Sequence, residues 1–401
     1  MKEILFLLAM VGIIQAQPAP QAYKGAGSCN GSNCHGGTTA LPEKDSRILG
    51  NEYATWSVTD KHQHAYKVLE EPRGKRMAAI LKIADATRDR RCAVCHVVGD
   101  EKTRSDGVSC EACHGAAEQW LGPHNKPNSH EASVKAGMID TRNAEIRAKT
   151  CLACHLGREG QVVDHELIAA GHPDLVFELD TFSSAEPAHY RPRPAAARAR
   201  AWAVGQATAL GESMRLLGTH AEKNWPEFST LECYQCHHDL RADSWRIQRG
   251  YGNRKPGSLQ VNLAQFEVLR ELVGVAAADQ KAAFETAMGG LSGAVAGKFT
   301  DGPGVARAAK TVERTADALA ARFATQDVDA QAVARALNAS IQRIADAGVN
   351  AAEQATMSLD ALNAILGKRT ETVAPLYDYL EHPSTYQPSA FAGLFRKAAG
   401  E

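Results

Sequence analysis

The chain has no cysteine after position 236, and aromatic residues make up only 6% of its 401 residues. After the first 16 positions, no apolar run is long enough to cross a bilayer, so no transmembrane segment is expected in the mature chain. A formal net charge of −1 leaves no large basic surface, which argues against a nucleic-acid partner. Partners are therefore expected to be proteins.

The ten cysteines fall into five pairs, and a histidine directly follows the second cysteine of every pair. Four pairs have the form Cys-x-x-Cys-His, in which two thiols form thioethers to a porphyrin and the histidine binds its iron. Neither a disulfide framework nor a structural zinc site requires a histidine after each second cysteine. The pattern therefore predicts covalently bound haem c.

The pair Cys29 and Cys34 has four residues between its thiols, so it is either a widened haem site or a small disulfide loop. Because His35 follows and no cysteine is left over, a fifth haem is favoured. The predicted attachment residues are Cys29, Cys34, Cys92, Cys95, Cys110, Cys113, Cys151, Cys154, Cys233 and Cys236. The predicted proximal iron ligands are His35, His96, His114, His155 and His237.

Ten of the 15 histidines lie outside these motifs and are candidates for the sixth position of each iron. The spacing of His165 and His172 corresponds to two helical turns, so the two side chains share a face and could serve neighbouring haems. The predicted distal ligands are His62, His124, His165, His172 and His220. Which distal histidine serves which haem is not fixed by the sequence.

Residues 1–16 predict a secretory signal peptide, with Lys2 as its positive end and an apolar run that is too short to span a bilayer. Because c-type haem is attached outside the cytoplasm, the export signal and the haem motifs support each other. The expected location is a bacterial periplasm.

The predicted fold class is mainly α, with a multihaem domain at residues 23–245 followed by a helical bundle at residues 257–401. Roughly one haem per 44 residues leaves too little chain for an apolar core, so the five haems are expected to be the core, wrapped by short helices and loops. A helix is predicted at Ala195–Leu217. In the Ala-rich end, apolar residues three and four apart predict amphipathic helices joined as a bundle for docking or oligomerisation. The predicted bundle segments are 259–275, 282–299, 305–323, 330–347 and 351–366.

The string Cys92–His96, then Gly107-Val-Ser-Cys110-Glu-Ala-Cys113-His114-Gly115 and Gly-Pro-His124, resembles the tetrahaem cytochrome c-554 family and its multihaem relatives. The segment from Trp56 to Leu69 is similar to that family's distal-ligand helix. The resemblance covers roughly residues 25–160 and implies mostly bis-His haems in stacked and angled pairs. It carries over His35, His96, His114 and His155 as proximal ligands, and His62 and His124 as distal ligands.

The chain departs from that family in its widened first motif, its additional motif at Cys233 and its long C-terminal segment. The family includes members with a five-coordinate haem and relatives that are enzymes. The sequence therefore leaves three functions open, of which an electron relay between redox partners is favoured. The alternatives are an enzyme acting on a small nitrogen or sulfur compound at a five-coordinate haem, and a polymerising extracellular electron conductor.

Overall fold

The computed structural model describes residues 22–43, 48–237, 241–244, 255, 257–262 and 264–400. The predicted signal peptide at residues 1–16 lies outside the described residues. Within them, extended backbone pairs only at two isolated bridges, Arg158 with Gln161 and Leu231 with Val261. The prediction of a mainly α chain is confirmed. None of the helices in this part of the chain combines the length and apolarity that a membrane crossing requires.

The region of the first four motifs consists of short helices joined by loops. Its helices are α1 Glu52–Thr59, α2 Lys67–Glu70, α3 Pro72–Ile80, α4 Arg90–His96, α5 Cys110–His114, α6 Leu121–His124, α7 His130–Lys135, α8 Ala144–His155, α9 His165–Ala169 and α10 Leu179–Ala185. The described residues of this region contribute only small apolar clusters, such as Leu69, Ala78 and Ala86. These clusters are too small to stabilise the region on their own.

The second half consists of longer helices around one large apolar core. They are α11 Ala195–Lys223, α12 Ala264–Ala276, α13 Lys281–Val295, α14 Gly302–Thr325, α15 Ala330–Ala347, α16 Val349–Ile365, α17 Ala374–Leu380 and α18 Pro388–Ala399. In α14 the predicted apolar stripe is fully buried, which confirms an amphipathic helix. Its members are Val305, Ala309, Val312, Ala316, Leu319 and Phe323.

Helix α11 extends six residues beyond the predicted end at Leu217 and packs mainly against α14. Its apolar side chains, including Trp202, Leu210 and Met214, lie in the same core as those of the C-terminal helices. Helices α17 and α18 were not predicted. Each has a proline at its start, where the absent N–H costs no helical hydrogen bond.

Helix α16, in the second half of the chain, contacts the first half through two side-chain hydrogen bonds. Asn350 Nδ2 donates to Asp174 Oδ2 over 3.1 Å, and Thr181 Oγ1 donates to the carbonyl of Met357 over 2.8 Å. The loop before α10 is thereby fixed to the start of α16, and α10 itself is fixed to the middle of α16. The C-terminal helices consequently contact the chain that follows the fourth motif.

We predict that Leu319→Ala lowers the free energy of unfolding by about 2–5 kcal/mol, because it leaves a cavity in a fully buried part of the core. The measurement is denaturant unfolding of the holoprotein followed by far-ultraviolet circular dichroism. Arg314→Ala, at an exposed position of the same helix, is the control. Equal stability losses in the two variants would contradict the assignment of this face to the core.

Candidate haem-binding sites

Three of the five motifs form the last turn of a helix. Helices α4, α5 and α8 end at His96, His114 and His155, so the two cysteines of each motif lie one turn apart beside the histidine. Side-chain caps at Asp89 and Asn143 start α4 and α8 by accepting hydrogen bonds from backbone N–H groups. Local sequence therefore places each set of thiols and histidine on one side of the chain.

All ten cysteines, which lie within the described residues, are free thiols. No disulfide joins Cys29 to Cys34, so the small-loop alternative receives no support. Among the described residues there is also no cluster of three or more histidine, cysteine or carboxylate side chains arranged to hold a metal ion. The thiols of the widened motif are therefore as available for thioether bonds as those of the other four.

Four motif histidines each face one histidine from outside the motifs. The ring centroids of His35 and His124 are 6.0 Å apart, and those of His155 and His62 are 6.1 Å apart. The remaining two pairs are His96 with His172 at 6.4 Å and His237 with His165 at 6.2 Å. These pairings bring together residues that are far apart in sequence.

The separations fit an iron atom between the two rings of each pair. A histidine nitrogen binds a metal at about 2.0–2.1 Å, and the ring centroid lies about 1.1 Å behind that nitrogen, so two opposed ligands place their centroids about 6.3 Å apart. The four observed distances span 6.0–6.4 Å. Rings in direct stacking contact would lie closer. The residues present therefore fit bis-His haem c.

Second partners hold Nδ1 in several of these rings, which leaves Nε2 for a metal. His35 Nδ1 lies 2.9 Å from Glu52 Oε2, and His62 Nδ1 lies 3.1 Å from Asp60 Oδ1. Hydrogen bonds to these carboxylates raise the pKa of both histidines. His96 Nδ1 lies 2.9 Å from the carbonyl of Ala65. Ring orientation is thus set by the protein.

A close backbone approach holds the His62 turn against the third motif. Val108 N–H donates to the carbonyl of His62 over 3.1 Å, and Trp56 Nε1 donates to the carbonyl of Val108 over 3.1 Å. Gly107 has a φ of +69°, and a Cβ there would lie 2.8 Å from the carbonyl oxygen of Gln63. Glycine is required at this position for both reasons.

The histidine of the third motif differs from the other four. Within the described part of the chain, no second histidine ring faces His114 at a comparable distance. Burial lowers the pKa of His114 to about 4, and the charges of His189, His35 and His124 contribute in that order. His189, in the proline-rich segment before α11, is thus the histidine outside the motifs whose charge affects His114 most.

The structure does not bring His220, the fifth predicted distal ligand, against a motif histidine. It is buried on α11, where its Nδ1 lies 3.1 Å from Asn224 Oδ1. Its Nε2 has no hydrogen-bond partner within the described residues. The predicted helix ended at Leu217, so nothing in the sequence pattern indicated which side of α11 carries His220.

Contacts between thiols show which motifs are neighbours. A hydrogen bond with Cys110 lowers the pKa of Cys29 to about 6, and one with Cys154 lowers the pKa of Cys95 to about 7. Gln161 Nε2 lies between the second pair, 3.6 Å from Cys95 Sγ and 3.0 Å from Cys154 Sγ. Motif one therefore adjoins motif three, and motif two adjoins motif four.

Two further contacts connect the remaining motifs. Burial raises the pKa of Cys113 to about 12, and the largest charge contribution comes from Cys151 in the fourth motif. Arg91, next to the second motif, forms ion pairs with Asp164 at 3.3 Å and Glu166 at 3.1 Å, on either side of His165. The pair formed by His165 and His237 therefore lies beside the second motif.

Sequence reasoning missed the orienting carboxylate of Glu52, the bridging role of Gln161 and the position of His189. Asp60 had a local signal, since it caps the turn that carries His62. Glu52 and Gln161 had none, because their partners are set by the tertiary fold. Only knowledge of which loops meet could have identified them.

The comparisons with known proteins cover the first part of this region. A family model described as "Cytochrome c554 and c-prime" matches residues 29–115. A relative named cytochrome c-554, from Nitrosomonas europaea, is 32% identical over 103 residues, which are 21% of this chain and 43% of that protein. The chain thus covers less than half of that relative's length. No solved structure matches the chain.

The matched residues contain the first three motifs and His62. Over this part the chain is similar to the cytochrome c-554 family. The resemblance identified from the motifs is confirmed.

We predict that Glu52→Gln raises the reduction potential of one haem. The neutral amide makes His35 a weaker electron donor, so the ferric state loses stabilisation. Each tenfold decrease in the stability of the ferric state relative to the ferrous state raises the potential by about 59 mV for one electron. The measurement is an optical potentiometric titration of the holoprotein, with exposed Glu131→Gln as the control. Unchanged potentials in Glu52→Gln would contradict a metal-ligand role for His35.

Proposed function

We propose that the chain is a periplasmic pentahaem c-type cytochrome that relays electrons between redox proteins through mostly bis-His haems. The observation that supports this most directly is the four pairs of histidine rings, each joining a motif histidine to one outside the motifs at 6.0–6.4 Å. An iron with both axial positions filled exchanges electrons without binding substrate. The five attachment motifs supply one haem each.

The contacts between motifs support a continuous order of haems. With the haems numbered by motif, the thiol contacts support haem one beside three and two beside four, and the interaction of Cys113 with Cys151 supports three beside four. The Arg91 ion pairs support haem five beside two. The proposed path is therefore one, three, four, two, five, with the fifth haem at one end.

Some of the histidines that would fill the sixth position at four haems lie outside residues 29–115, the matched region. His165 on α9 faces His237, and His172 just after α9 faces His96. Both histidines come from a single short segment, so this segment would fix two neighbouring haems at once. Export through the predicted signal peptide would deliver the chain to the compartment where c-type haem is attached.

A second function is favoured by the environment of His114, which no histidine ring faces at 6.0–6.4 Å in the described part of the chain. A five-coordinate haem at Cys110 and Cys113 would bind a small molecule, as the enzyme alternative requires. For the relay, we propose His189 as the sixth ligand of this haem, because its charge affects His114 more than that of any other histidine.

We predict that His62→Ala converts one of five low-spin haems to a high-spin state, since it removes one axial ligand while His155 remains. Low-temperature electron paramagnetic resonance of the ferric holoprotein measures this change. His64→Ala is the matched control, because His64 is exposed and only two positions away. A low-spin spectrum unchanged by His62→Ala would remove His62 from the ligand set.

A second experiment separates the relay from the enzyme. For a relay, the native ferric protein takes up no cyanide, whereas His189→Ala takes up one equivalent at the haem of the third motif. Visible spectroscopy during cyanide titration measures both. Uptake of one equivalent by the native protein would instead support the enzyme alternative.

A further inference from the structure

A cavity of about 70 Å³ lies between the segment that precedes the fifth motif and the C-terminal helices. Its walls include Thr230, three residues before Cys233, and Asp174, which is exposed and so opens the cavity toward solvent. Asn350, Glu353 and Gln354 line it from α16. A volume of this size holds more than one water molecule when polar groups surround it.

The carboxylate of Glu353 is largely buried, and within the described residues it has no hydrogen-bond or ion-pair partner. The two charges that act on it, those of Asp174 and Glu232, are both negative. Burial, followed by these two charges, raises its pKa to about 7. The group therefore sits where a small change in nearby charge is enough to change its protonation.

The same carboxylates act on the fifth motif. Burial raises the pKa of Cys233 to about 12, and the charges of Asp174, Glu232 and Glu353 add to this effect. Burial also raises the pKa of neighbouring Tyr234 to about 12, with Glu353 as the largest charge contribution. Glu353 thus lies close enough to this motif to interact electrostatically with a haem attached there.

Two amide oxygens of residues that line the cavity lack a hydrogen-bond partner within the described residues. Gln354 is 1% exposed, and its Nε2 donates to Gln206 Oε1 over 3.0 Å. Its Oε1 and that of Gln265 have no partner within the described residues, although both residues line the cavity. A protonated carboxyl group or water would supply the missing donor at this wall.

We propose that Glu353, contributed by the helical bundle, is a proton-binding site coupled to the redox state of the haem at Cys233 and Cys236. This rests on the proposed function, since it requires the fifth haem. When a haem held by Cys233 and Cys236 receives one electron from its neighbour, Glu353 would take up one proton from water that enters past Asp174. When that electron leaves, Glu353 would release the proton.

Electrostatics determines the direction in which the redox state of the haem changes the pKa of Glu353. The ferric haem carries one more positive charge than the ferrous haem, so it stabilises the nearby carboxylate and lowers the pKa of Glu353. Reduction removes that charge and raises this pKa. Near pH 7, one haem therefore has a reduction potential that falls as pH rises, by up to 59 mV for each tenfold change in proton activity.

The test is potentiometric titration of the holoprotein at several pH values for the native chain and Glu353→Gln. We expect one haem component to lose its pH dependence near pH 7 in the variant, while the other four are unchanged. Asp360→Asn is the matched control, because Asp360 is a partly buried carboxylate on the same helix that is held by Tyr377 at 3.2 Å. It should retain the native dependence.

Two outcomes would overturn the proton-binding site and leave the proposed function unaffected. One is five attached haems with an unchanged slope in Glu353→Gln, and the other is a slope that is lost only in Glu232→Gln. Haem content and protein mass distinguish these from failure of the proposed function. Free thiols at Cys233 and Cys236 in the mature protein would overturn both the fifth haem and this proton site.

Discussion

The organisation of the first half of the chain depends on pairs of histidine rings held at the separation that one metal atom between them would require. Four such pairs lie 6.0–6.4 Å apart, and each joins segments that are distant in sequence. The small apolar clusters of this region cannot supply that organisation. Hydrogen bonds from Nδ1 to the carboxylates of Glu52 and Asp60 then set the orientation of two of these rings.

Much of this arrangement could be predicted because it is local. A cysteine spacing and an adjacent histidine predict a haem site within five or seven residues, and a stripe of apolar residues predicts one face of a helix. The burial of Val305, Leu319 and Phe323 on α14 follows from spacing alone. The same reasoning favoured His62 and His165, each of which now faces a motif histidine.

The rest could not be predicted because it depends on which segments meet. The sequence offered His220 as a ligand but could not show that α11 extends past Leu217 and brings His220 to Asn224 instead. Likewise, nothing local to α11 indicates that Trp202 and Leu210 pack with helices more than one hundred residues later. Helix α17 has only seven residues, too few for a repeated stripe. In α18, the spacing of Phe391, Phe395 and Ala398 was a helical signal that sequence reasoning missed.

The position of α11 has a consequence for how such a chain could arise. This helix lies between the fourth and fifth motifs in sequence, yet its apolar face completes the core of the C-terminal helices. A gene that lost those helices would leave a long apolar surface in contact with water, next to the fifth motif. We therefore expect the C-terminal helices and α11 to be gained or lost together.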